Sequence, residues 1–172
     1  MVAGIGGLGL AGGCGRALRA EPPPPFVPKY SMEEAILRLR GSACAKALGQ
    51  ATLEPVSLQG YVEEGGQEVV LDVDVVLPPS PLRVVVRIRT ALALDPGTGE
   101  VLNPSECAKN LLALVEGAQK AISQAEGSPE VKRFLAEHAP VQATFDPSIG
   151  PRGRLVFLGT LPDGTKVPFV YE

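Results

Sequence analysis

Apolar residues recur about once per turn at Met32, Ile36, Leu39, Ala43 and Ala47, the spacing of a helix with one buried stripe. Ser31 and Glu34 form an S-x-x-E capping box ahead of that stripe, and Gly49 is a natural stop. The pattern predicts a first helix over 32–48. The period then changes to two. Strands are predicted over 52–63, 67–77 and 82–94. In the second, Leu71, Val73, Val75 and Leu77 alternate with Asp72 and Asp74. In the third, Val84, Val86, Ile88, Leu92 and Leu94 alternate with Arg83, Arg87 and Arg89. Pairing Leu77 with Leu82 across Pro78-Pro79-Ser80-Pro81 sets Asp72 opposite Arg87, with Asp74 diagonal to it, as a charged ladder on an outer face.

After the turn signal at Asp95–Gly99, residues 100–102 are a candidate short strand. A second helix then begins, with Asn103 as cap, Pro104 in the first position and Glu106 closing a box. Leu102 and Cys107 have the spacing of a hydrophobic staple. The stripe Ala108, Leu111, Val115, Ala118 and Ile122 carries this helix to about Gln124. Ser128-Pro129 opens a shorter helix bearing Val131, Phe134 and Leu135, stopped by Pro140. Strands over 153–161 and 166–171, joined by Leu161-Pro162-Asp163-Gly164, close the chain, and 141–145 is a candidate further strand. The order predicts an α+β domain over 30–172: an antiparallel meander sheet covered on one face by helices.

Residues 1–29 follow neither period. The run from Met1 to Gly15 is apolar, dense in glycine and free of charged side chains. Pro22 to Pro25, then Phe26, Val27 and Pro28, follow. Glycine at this density builds no helical or strand face, and four prolines favour an extended polyproline segment. Disordered tails are normally polar. This segment reads instead as an extended Gly/Pro-rich arm that gains order on a partner through Ile5, Leu8, Leu10, Phe26 and Val27.

Composition changes the picture in three ways. Apolar residues are 45% of the chain and Trp is absent, so Val, Leu and Ala must fill the core. The net charge of −3 argues against general nucleic-acid binding, which needs a clustered basic surface. Residues 1–30 carry +2 of charge and the rest −5, a mildly basic arm on an acidic body. The three cysteines, Cys14, Cys44 and Cys107, lack metal-type spacing. Their odd number argues against a fully paired disulfide framework, so a reducing cytoplasm is the default expectation.

The candidate chemistry is thin. Gly4-Ile5-Gly6-Gly7-Leu8-Gly9 fits the G-x-G-x-x-G string, but it lacks the preceding strand and following helix that a pyrophosphate site requires. Cys107, His138 and Asp146 have the residue types of a nucleophile, base and orienter, which only geometry can assemble. The blander reading is a staple cysteine and a histidine at a helix end. Glu63, Glu64, Glu68, Asp72 and Asp74 lack EF-hand spacing and read as solvated faces. Arg83, Arg87 and Arg89 could hold a phosphate, but the aspartates compete for them. The proline run has the makings of an SH3- or WW-type ligand, though a semi-rigid spacer is the simpler role.

The expected function is therefore a non-catalytic structural or assembly protein, a homo-oligomer or part of a larger assembly. No cofactor, metal, nucleic acid or membrane is expected as partner. Two other readings stand beside it. One is a small-molecule-binding domain or enzyme with a pocket between sheet and long helix. The other is an envelope lipoprotein anchored at Cys14, where Leu10-Ala11-Gly12-Gly13-Cys14 resembles a lipoprotein box displaced by one residue.

Overall fold

The computed structural model of the protein describes residues 24–148 and 153–172. Ile5, Leu8, Leu10, Cys14 and the glycine string lie outside them. The elements run β1 (Pro25–Phe26), α1 (Met32–Gly41), α2 (Ala43–Lys46), β2 (Thr52–Glu63), β3 (Gly66–Val76), β4 (Val86–Leu94), α3 (Pro104–Glu126), α4 (Pro129–Glu137), β5 (Val141–Asp146), β6 (Arg154–Thr160) and β7 (Lys166–Tyr171). The strands form one seven-stranded sheet in chain order. Every neighbouring pair is antiparallel except β4 and β5, whose long helical connection makes them parallel over Val86–Ala143 and Arg87–Thr144. This is the α+β architecture that the pattern predicts.

Period-two alternation decides the two faces. Val69, Leu71, Val73 and Val75 of β3, Val86, Ile88 and Leu94 of β4, and Leu155 and Phe157 of β6 are buried. They pack with Ile36 and Leu39 of α1, Leu111, Val115, Ala118 and Ile122 of α3, and Val131 and Phe134 of α4 in one cluster. Asp72, Asp74, Arg87 and Arg89 stand on the opposite face.

Two local predictions need correction. The first helix ends early: after Gly41, Ser42 is extended (φ −79°, ψ 161°). Its hydroxyl bonds to the Leu39 carbonyl and accepts from the Ala45 amide, so Ser42 closes α1 and opens α2. Asn103 has φ 50° and its side chain makes no capping bond. Leu102, placed to staple onto Cys107, is 45% exposed. The Ser31–Glu34 box does form in both directions.

The charged ladder forms in a different register. Asp74 faces Arg89, Asp72 faces Ala91, and Arg87 faces Val76. The Leu77 amide reaches the Val86 carbonyl at 3.0 Å, not Leu82. Proline has no amide to give a ladder, so Pro78, Pro79 and Pro81 open the hairpin into a broad loop. Arg83 takes φ 57° within that loop. Asp72 exchanges its expected partner Arg87 for Ala91, an even number of positions away. Every side chain therefore keeps its predicted face.

Candidate interaction surface

The described end of the arm belongs to the sheet. Pro25 and Phe26 pair with Tyr61 and Gly60 as β1, and the Val62 amide donates to the Pro24 carbonyl at 3.0 Å. This segment is thus a strand and not a free polyproline spacer. Phe26 packs against the core cluster, whereas Val27 is 89% exposed. Gly60 makes the junction possible. A Cβ there would lie 2.6 Å from the Phe26 carbonyl oxygen and 2.8 Å from its ring. Gly60→Val should expel β1 while leaving β2 and β3 paired. Hydrogen exchange would show it as selective loss of protection at the Val62 amide. Unchanged protection there would mean that Gly60 does not hold the junction.

The outer face of the sheet carries side-chain ion pairs. Arg89 grips Asp74 (2.5 and 3.3 Å), and this bond raises its pKa further above the ordinary arginine value. Arg87 reaches across β3 to Glu54 at 3.2 Å, and Ser57 donates to Asp72 at 2.6 Å. At the far end Asp146 accepts from the Ser148 hydroxyl and amide and faces Arg154 at 3.5 Å. Those Ser148 bonds, with Arg154, hold the Asp146 carboxyl below the usual carboxylate range. The three arginines Arg87, Arg89 and Arg154 are thus engaged with carboxylates of the same face.

Beyond these pairs, at the β7 edge of the sheet, β6 and β7 present an apolar outer surface. Val156 pairs with Val170 and Leu158 with Pro168, all pointing away from buried Leu155 and Phe157. Val170 is 44% exposed. Thr144 and Gln142 of β5 continue the same two rows. No sequence signal marked this patch, because Val and Leu at alternate positions of a closing strand read equally well as core.

The suggested catalytic residues do not form a site. The Cys107 sulfur is bonded to that of Cys44, with Cα atoms 5.5 Å apart, so it presents no thiolate. His138 stacks on Phe134 at 4.4 Å and its Nδ1 contacts the Phe134 carbonyl oxygen. Asp146 is engaged with Ser148 and Arg154. Among the described residues no group of three His, Cys, Asp or Glu side chains converges as for a metal ion, and no helix is long and apolar enough to cross a membrane.

A groove of about 450 Å³ lies beside α3, lined by Asn110, Ala113, Leu114, Gly117, Phe145, Pro147 and Gly153. Asn110 is its single polar side chain, and it contains no titratable group. Comparison with protein-family models, with curated proteins and with solved structures gives no match.

Proposed function

We propose that this protein is a non-catalytic assembly domain of an oxidising compartment, joined to a neighbouring protein through its N-terminal arm. The observation that carries the reading is the arm's attachment: Pro25–Phe26 are hydrogen-bonded into the sheet. The residues that directly follow position 23 are thereby fixed to the folded body. The Cys44–Cys107 link supports the compartment, since such bonds persist where thiols are not kept reduced.

A photocrosslinking residue placed at Ile5, Leu8 or Leu10 tests the arm in native cells. The reading expects covalent adducts with another protein chain. Adducts absent at all three positions would defeat it. The same link favours the lipoprotein reading as a second choice, because the pair leaves Cys14 outside it. Intact mass would separate the two: lipidation at Cys14 with loss of the preceding residues supports the anchored form, and an unmodified Ile5–Leu10 segment supports the arm.

A further inference from the structure

We propose that Cys107 is a thiol-exchange site, and that the Cys44–Cys107 bond is a releasable latch on α2. The inference rests on the bond and its surroundings and stands independently of the arm.

The two sulfurs join elements of very different firmness. α2 is four residues long, and Cys44 is its one buried side chain. A helix of a single turn has no stability of its own in water. Between Leu39 and Leu53, Leu48 is the only other buried side chain, and Ser42 joins α1 to α2 through extended backbone. Cys107 sits instead near the start of the 23-residue α3, which Leu111, Val115, Ala118 and Ile122 hold in the core. Breaking the bond therefore leaves α3 in place and deprives α2 of its own buried anchor.

Access is equally one-sided. Cys44 is 0% exposed, whereas Cys107 is 8% exposed and lines a surface cleft of about 240 Å³ with Ala93, Asn103, Glu106 and Asn110. Cys107 is thus the sulfur open to an external thiolate, and the size of the cleft suits a small thiol. Attack forms a mixed disulfide with Cys107 and breaks the Cys44–Cys107 bond. The electron pair leaves on the Cys44 sulfur, which takes a proton from solvent. A second thiol then frees Cys107, and the two thiols end as their own disulfide.

The oxidised full chain with β-mercaptoethanol, under conditions where circular dichroism shows it folded, tests the proposal. After a brief reaction, acid quenching and alkylation, peptide mass mapping should find the mercaptoethanol adduct on Cys107 and the alkyl group on Cys44. An adduct on Cys44, or a bond that yields only in denaturant, would overturn the exchange site. Trypsin then reports the release of α2, since proteolysis follows the population of the opened form. Lys46 of α2 and Lys120 of α3 are both exposed. In the fully reduced chain, cleavage after Lys46 should outpace cleavage after Lys120 by about tenfold or more, while in the oxidised chain both stay slow. The Cys44→Ala/Cys107→Ala variant should show the same preference without any reductant. Equal cleavage at the two sites, the mark of whole-domain opening, would overturn the latch. Cleavage after Lys46 as fast in the oxidised chain as in the reduced one would overturn it too.

Discussion

Val86→Asp is expected to unfold the domain, while Arg87→Ser, one residue along the same strand, should cost about 1 kcal/mol or less. Val86 is 1% exposed and lies where β4 meets β5, paired with Ala143. Its carbonyl accepts the Leu77 amide that closes the β3–β4 hairpin. A carboxylate at this position points into Val75, Ile88 and the α3 stripe, where no described cation waits for it. Burying an unpaired charge costs several kcal/mol, a large share of the roughly 5–15 kcal/mol that holds a domain together. Arg87, by contrast, reaches over the outer face to Glu54, with side chains 40% and 51% exposed. Urea titration followed by circular dichroism measures both. If Arg87→Ser proved the more damaging change, the assignment of inner and outer faces would be wrong.

That pair of expectations rests on the part of the fold that the sequence carried most clearly. Alternation in β3 and β4 identified Val73, Val75, Val86 and Ile88 as inward without any knowledge of register, because the face depends only on parity. Register was less legible, because prolines in a loop say where a ladder cannot run and leave open where it resumes. In β2 the alternation is broken: Leu53 and Leu58 both face inward although an odd number of positions separates them. A bulge between Pro55 and Ser57 absorbs the extra residue. That odd spacing was a readable signal. The short strand β1 was not, because Pro25–Phe26 is strand only by virtue of lying against Gly60, a contact set by the tertiary fold. The apolar outer patch was illegible for the same reason. Val156, Leu158 and Val170 become an outer face only once Leu155, Phe157 and Phe169 are seen to claim the inner one.

Loss of the Cys44–Cys107 bond should lower the melting temperature by roughly 10 °C or more. The two cysteines sit on α2 and α3 and are both buried, and 63 positions of sequence separate them. Breaking the link releases a loop that contains β2, β3, β4 and their connections. In the chain-entropy picture, closing a loop of that length stabilises the folded state by about 4 kcal/mol, by restricting the unfolded chain. Neither residue could be paired from sequence alone: the third cysteine left three possible pairings, and only the approach of α2 to the first turns of α3 selects one. The measurement is differential scanning calorimetry of the oxidised chain against the Cys44→Ala/Cys107→Ala variant. Reduction under denaturing conditions, followed by refolding with blocked thiols, gives an independent comparison. Both altered forms should melt lower than the oxidised chain while keeping its circular dichroism, because the remaining core of Leu111, Val115, Ile88 and Phe157 is untouched. Melting curves that coincide within experimental scatter would show that the bond does not constrain the unfolded chain. The compartment argument would then lose its stability rationale, because a protein equally stable without the bond gains nothing from an oxidising environment.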